Sequence, residues 1–339
     1  MRFAREHDLL VSVRGGGHSA GGRAVCQGGL MIDLSPMTDV RVDPTRRTAI
    51  AQPGVKLGES DQAAQAFGLA TTSGVASDTG IAGLTLGGGY GWLDGKYGLA
   101  CCNLVSVEIV TADGRLVTAS GVENPDLFWG VRGAGANFGV VMSFEFRLHS
   151  VGPVLAGLVL YPIDRGKETL RLFHEFSAAC PDEVSTVGLL LSAPDGTPAV
   201  GIAACYTGPL DEGERILKPV RTLGSPIADL FAARSYTETP SLFDQNWLPG
   251  QFNYWENQPD AGAERDDDQG VARTRRGAAR PRIASFICSS CTAPPAAFRP
   301  AIRHSRIAST TTTADHGRSG RTPPTPRGAS AGPVNPGTR

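Results

Sequence analysis

Apolar residues along the first 150 positions fall in short, often β-branched runs broken by clusters of glycine. That pattern predicts strands more than helices. Strands are expected at Leu9–Val13, Gly29–Leu34, Val40–Val42, Ala49–Ala51, Leu104–Thr111 and Val140–Leu148. One helix is expected at Glu59–Phe67, with Ser60 and Asp61 near its start and Gly68 as its stop. Met1–Asp8 has helical character but begins without a capping residue, so an upstream strand and part of this helix are expected to be missing. Alternation returns at Val154–Tyr161, Val187–Ser192 and Ala199–Tyr206, as in an antiparallel sheet, and Lys167–Cys180 has the spacing of a covering helix. The fold class read from this pattern is α+β.

Composition adds a boundary. The chain has 339 residues, 41% hydrophobic and 19% charged. That supports a sizeable core, while no apolar run approaches the roughly 18 residues needed to cross a bilayer. Leu9–Val13 is too brief for a secretory signal, so a cytoplasmic location is expected, with the seven cysteines as thiols. The formal charge of −1 hides a split. Residues 1–256 carry 19 basic and 27 acidic side chains, and residues 257–339 carry 13 and 6. The latter stretch has ten prolines, thirteen arginines and no lysine. With almost no apolar periodicity, it is expected to be disordered, or frame-shifted in origin. A basic arm for an anionic polymer is the alternative, but the arginines are scattered and aromatics almost absent, so no nucleic acid is expected as a partner.

Of the 43 glycines, 25 lie in residues 1–150, concentrated at 15–17, 21–22, 28–29 and 87–91. Glycine lets successive backbone N–H groups converge on an anion, so loops of this kind after apolar strands point to a phosphate-bearing cofactor. Gly15 to Ala20 formally satisfies G-x-G-x-x-A, and Asp33 lies near the spacing of a ribose-binding acid. Only about eight residues then remain before the strand at Gly29, fewer than the ten to twelve a right-handed crossover helix needs, so a nicotinamide site is rejected. Gly95-Lys96 is no better as a triphosphate loop: Tyr97 replaces the magnesium-binding hydroxyl and Tyr90 the first glycine.

Five ordered segments carry a more specific signal: Val13 to Ser19 (VRGGGHS), Ala51 to Val55 (AQPGV), Thr79 to Trp92 (TGIAGLTLGGGYGW), Asn124 to Gly133 (NPDLFWGVRG) and Asn137 to Val141 (NFGVV). In order and spacing they resemble the FAD-linked oxidases of the berberine bridge enzyme type, in the vanillyl-alcohol-oxidase-like flavoprotein superfamily. The likeness covers residues 1 to about 256 and is most specific up to about 150. It implies a two-lobed, PCMH-type FAD-binding domain at 1–150, part of an antiparallel-sheet substrate domain at 151–256, and the tail at 257–339.

What the resemblance implies for the site is specific. Arg14, Gly15, Gly16, Gly17, His18 and Ser19 would enclose FAD from one side. Thr79, Gly80, Gly83, Gly87, Gly88, Gly89, Tyr90 and Gly91 would enclose it from the other, with Pro53, Gly54, Gly139 and Val140 completing the cofactor contacts. His18 matches the histidine bonded to the flavin 8α-methyl group. The position of a second, cysteine tether is occupied by Ala76, so one covalent bond is expected. The implied activity is hydride transfer from a small alcohol, sugar or amine to the flavin, with dioxygen as acceptor. Two alternatives stay open: an inactive, truncated FAD-binding module, and a nonenzymatic binding protein with a basic tail.

The catalytic base is unassigned. Tyr161, Tyr206 and Tyr254 are expected to be sheet residues with their hydroxyls at the surface, and His174 a packing or surface residue. Cys101 and Cys102 are expected to be small buried side chains. Cys288 and Cys291, a single pair, define no metal site. Family members continue well past residue 256 with further strands and an Asn- and Tyr-containing closing segment, and this chain shows neither. Oligomeric state is not readable from the sequence.

Overall fold

The computed structural model describes residues 1–19, 21–192, 196–242 and 244, together with two short strands at Tyr254–Trp255 and Ser285–Cys288. Expectations about the Cys288/Cys291 pair, the side chain of Tyr254 and most of 257–339 lie outside the described residues.

Helix α1 (Arg2–Glu6) leads into strand β1 (Val11–Arg14), which pairs in parallel with β2 (Leu30–Asp33). No helix occurs between them among the described residues, which agrees with the rejection of a dinucleotide crossover on length. The chain continues through β3 (Val40–Asp43), β4 (Thr48–Ala51), α2 (Leu57–Gln65), β5 (Leu69–Ala70), α3 (Ile81–Leu86) and α4 (Asp94–Tyr97). It then forms β6 (Leu104–Val110), β7 (Leu116–Ser120), α5 (Pro125–Ala134), β8 (Val140–Arg147) and β9 (His149–Ser150). Five of these strands make an antiparallel sheet in the order β3-β4-β8-β6-β7. Alternate residues Val107, Ile109, Phe144 and Phe146 point to one face and meet Leu57, Ile81, Phe128 and Val131 from α2, α3 and α5. Phe144 and Phe146 are almost wholly enclosed, and each side chain of this size contributes roughly 1.5–3 kcal/mol by leaving water.

Helix α2 begins two residues before the predicted start. The Lys56 backbone N–H donates to Glu59 Oε2 at 2.8 Å, so the glutamate caps the first turn. Gly68, with φ of 65°, stands just beyond its end as expected.

The second sheet starts at β10 (Val154–Pro162), followed by α6 (Gly166–Ala179), β11 (Val184–Ser192), β12 (Pro198–Tyr206), α7 (Leu210–Arg221), β13 (Ala228–Asp229), β14 (Ala232–Arg234) and α8 (Glu238–Ser241). With β15 (Tyr254–Trp255) and β16 (Ser285–Cys288) the strand order is β13-β10-β12-β11-β16-β15, and β14 also pairs with β10. The period-2 alternation of β10 and β12 divides their side chains cleanly. Leu155, Val159, Tyr161, Ile202, Ala204 and Tyr206 lie under α6 and α7 with Phe173, Leu217 and Val220. Val154, Ala156, Ala203 and Cys205 face the other way, onto Ala76, Trp92 and Leu93 from the glycine-rich segment of the first part of the chain.

Three side-chain expectations change. The Tyr161 hydroxyl is buried, donating to Val220 O at 2.8 Å and accepting from Leu223 N at 3.2 Å; helix α7 closes over it. The Tyr206 hydroxyl donates to Glu212 Oε2 at 3.0 Å on the same covered face. Cys101 is buried but Cys102 is exposed, because the 3₁₀ turn at Ala100–Asn103 points successive side chains in different directions. His174 is at the surface.

Polar groups are sealed in where the first part of the chain meets the second sheet. Asp61 on α2 is 2% exposed and accepts from Ser73 Oγ at 3.2 Å. Burial pushes its carboxyl up from 3.8 to about 7, only partly opposed by that hydrogen bond. The folded chain therefore keeps this proton up to about pH 7, whereas the unfolded chain releases it near 4. Unfolding sheds a proton across that window, so stability falls as pH rises from about 4 to about 7 and levels off above. Asp61→Asn keeps the shape and the acceptor without the charge. Its stability, read from thermal melts, is expected to exceed that of wild type at pH 8 by an amount on the order of 4 kcal/mol, with little difference near pH 4. An equal gain at both pH values would contradict this assignment.

Candidate functional site

The loop after β1 and the segment before α3 meet backbone to backbone. A Cβ on Gly16 would lie 2.3 Å from Gly80 Cα, and one on Gly80 would lie 2.6 Å from Gly16 Cα. No side chain fits at either position. Gly15 is similarly confined by the Pro53 carbonyl, 2.7 Å from its would-be Cβ. Pro53 and Gly54 are themselves buried, and Gly54 N–H donates to Met37 O at 2.9 Å.

That crossing places His18, two residues after Gly16, opposite Asp78, two residues before Gly80. His18 Nε2 lies 3.6 Å from Asp78 Oδ1, with the two side chains 30% and 40% exposed. Asp78 Oδ1 is itself enclosed and has no hydrogen-bond partner among the described residues. The backbone on both sides of Asp78 is fastened. Ser77 O accepts from Gly58 N–H and Thr79 O from Leu57 N–H, each at 2.9 Å. These donors belong to the first turn of α2, whose N–H groups have no partner within the helix. On the other side, Ser77 N–H donates to Asp244 Oδ1 at 2.9 Å.

The other anticipated cofactor residues divide into two groups. Arg14 pairs with Asp33 at 3.5 Å, and its guanidinium runs along Gly17. Gly17, His18 and Ser19 are exposed, as are Gly83 and Gly87 on α3 and at its end; a Cβ on Gly83 would meet nothing within 4 Å. Gly88, Gly89 and Gly91 instead turn inward, and Tyr90 between them is half-buried. Gly89 O and Gly88 O accept from Ala100 and Cys101 N–H, and Gly91 sits against the Ser73 carbonyl. Those residues seat the neighbouring Trp92, whose Nε1 donates to Val75 O at 3.1 Å. Gly139 and Val140 open β8, next to Val110. Ala76 is buried in the core. Asp78 is the residue that the sequence reading passed over.

The arrangement fits a flavin dinucleotide on observations of the chain itself. Two loops of minimal bulk touch at Gly16 and Gly80. Gly17 and Gly83 leave open surface on either side, and an imidazole next to an orphaned carboxylate oxygen stands at the crossing.

Comparison with known proteins identifies the class. Residues 1–120 match the FAD binding domain family. An FAD-linked oxidoreductase of Dictyostelium discoideum is 33% identical over 76% of this chain and 56% of that protein. Among solved structures, 6-hydroxy-D-nicotine oxidase from Arthrobacter nicotinovorans superimposes with a TM-score of 0.71 at 33% identity, covering 76% of this chain and 58% of its own. Berberine-bridge-enzyme-like protein 1 of Physcomitrella patens gives 0.63 at 26% identity, covering 74% and 57%. The chain carries the FAD binding domain of the FAD-linked oxidoreductases and is related to their berberine-bridge-enzyme-like members. It spans rather more than half the length of the relatives it matches. Among the described residues, no helix is long and apolar enough to cross a membrane, and no cluster of ligating side chains could hold a metal.

The crossing yields a paired test. Gly16→Ala is expected to lower stability by about 2–3 kcal/mol or more, because the new methyl overlaps backbone that cannot move independently. Gly83→Ala, in open space on a helix, is expected to be neutral or stabilising by about 0.5–1 kcal/mol. Urea denaturation of both full-length variants measures the contrast.

Proposed function

We propose that this chain binds FAD covalently through His18 and serves as the flavin-bearing part of an oxidase for a small alcohol, sugar or amine, with dioxygen as acceptor. The observation that carries this reading is the Gly16–Gly80 contact, which delivers His18 and Asp78 to one place within a region matched to an FAD binding domain. The nicotine-oxidase neighbour supports an oxidase activity and a small-molecule substrate.

The flavin would accept hydride from a substrate carbon when bound; the residues of the chain supply placement. Arg14 to Ser19 and Thr79 to Gly87 offer backbone and small side chains against which a dinucleotide rests, and a covalent bond at His18 prevents its loss. The second sheet presents Val154, Ala156, Val187, Leu189 and Ala203 towards the same part of the chain.

A flavin module without turnover is the second reading. It is favoured by the use of the Tyr161 and Tyr206 hydroxyls in packing, which removes both from the pool of candidate bases. The two readings separate in one preparation. Purified full-length protein is expected to be yellow and to keep its flavin absorbance in the acid-precipitated pellet. His18→Ala is expected to lose at least nine-tenths of that acid-stable colour, an order-of-magnitude effect of removing the bond-forming nitrogen. Anaerobic bleaching by one member of a panel of alcohols, sugars and amines, followed by peroxide release in air, marks the oxidase. Stable colour without bleaching marks the module, and a colourless chain with no FAD uptake refutes both.

A further inference from the structure

We infer that Asp78 is a positioning residue for His18: it holds the imidazole with Nε2–H towards the carboxylate and so makes Nδ1 the nitrogen that bonds to the flavin. This rests on the reading that His18 carries the cofactor. It deepens that reading by naming what selects the nitrogen and which residue of the chain makes the imidazole a competent nucleophile.

Four observations converge. Nε2 of His18, not Nδ1, is the nitrogen nearest the carboxylate, at 3.6 Å. The Asp78 oxygen facing it is enclosed and has no hydrogen-bond partner among the described residues. An enclosed acceptor without a partner is costly, and a donor brought within reach relieves that cost. The backbone that carries Asp78 is fixed, since Ser77 and Thr79 are tied to Gly58 and Leu57 and Ser77 also to Asp244. Finally, His18 is held to the same spot by the Gly16–Gly80 contact. A neutral imidazole carries one N–H and one lone pair, so fixing the N–H on Nε2 leaves the lone pair on Nδ1. The logic is that of any orienting carboxylate behind a histidine: it sets the tautomer and stabilises the cation that forms.

The covalent step balances. The bond that forms joins His18 Nδ1 to the 8α carbon of FAD. One C–H bond at that carbon and the Nε2–H bond break. The electron pair released enters the isoalloxazine and passes to dioxygen, which with the two protons gives hydrogen peroxide. Asp78 acts while the imidazole is positively charged, between attack by Nδ1 and loss of the Nε2 proton.

The test uses the full-length chain produced in riboflavin-starved cells, then mixed with FAD in air and quenched in acid at timed intervals. Covalent flavin is read from pellet absorbance, and the bonded nitrogen from NMR of the isolated flavinyl peptide containing His18. Wild type is expected to give the Nδ1 isomer. Asp78→Ala and the equal-volume Asp78→Asn are expected to attach FAD about 10- to 100-fold more slowly. The alanine variant should also yield a mixture that includes the Nε2 isomer. Asp78→Glu should recover part of the rate. Noncovalent FAD retention on gel filtration identifies variants that are folded, and a purely structural role for Asp78 would not alter which nitrogen is bonded. A wild-type linkage through Nε2, or a folded Asp78→Ala that attaches FAD at the wild-type rate through Nδ1 alone, overturns the assignment while leaving the tether intact. Wild-type protein that binds FAD but never retains it in acid overturns the tether and, with it, the role of Asp78.

Discussion

The site hangs on one contact, the backbone approach of Gly16 to Gly80. Each glycine costs roughly 0.5–1 kcal/mol of extra chain entropy relative to alanine, and the first part of the chain contains many. Folding tolerates that cost because the rest of the two segments is fixed by stronger means. Thr79 and Ser77 accept hydrogen bonds from the start of α2, and Ile81 N–H donates to Val55 O at 2.9 Å. Gly15 is backed by Pro53, which lies within the same short turn as Val55. The crossing is therefore the meeting of two already anchored loops, and any bulk inserted there must displace the α2 start or the β1–β2 pair.

The second sheet contributes through only one of its faces. Tyr161 and Tyr206 are committed to α7 and the helix-covered side, so their hydroxyls are spent on structure. The opposite face presses on Trp92, Leu93 and Ala76, residues that flank the glycine-rich segment. Asp94 reaches across this junction and accepts from Ser185 Oγ at 2.7 Å; burial raises its carboxyl to about 6. The Tyr236 hydroxyl is enclosed there without a hydrogen-bond partner among the described residues, and its proton is held well above the ordinary range first by burial and then by Asp61, Cys205 and Asp94. This polar pocket inside an apolar junction ties the placement of the glycine segment to the placement of β11 and β12.

How much of this could be read from the sequence depended on how local each signal was. Most of the longer strands announce themselves by their apolar pattern, and the glycine loops by composition. Helix α7 was missed, although Gly213, Leu217 and Val220 keep helical spacing on its buried face, because the charged residues between them mask the stripe. Strand β7 is short and its leading leucine is exposed, so nothing in Leu116–Ser120 marks it as the edge of a sheet. The fourteen-residue helix α6 was visible because Leu170, Phe173 and Phe176 recur at helical spacing. The inward turn of Gly88 to Gly91 was not legible, since a glycine run reads the same whether it opens to a ligand or packs on a neighbouring turn. Asp78 was invisible for a deeper reason. Its meaning lies in a partner sixty positions away, and only the crossing of the two loops makes them neighbours.

An exposed ion pair is worth little: between solvated groups it contributes on the order of 0–1 kcal/mol. With side chains 30% and 40% exposed, the contact between the His18 imidazole N–H and Asp78 gains no more than that on its own. The pair gains strength in proportion to the water removed around it, because the effective dielectric constant falls as the site is covered. A planar cofactor resting on the loops is the agent that would cover it. Orientation of the imidazole and occupancy of the site are thus coupled: the ligand that needs the nucleophile also tightens the carboxylate's hold on it.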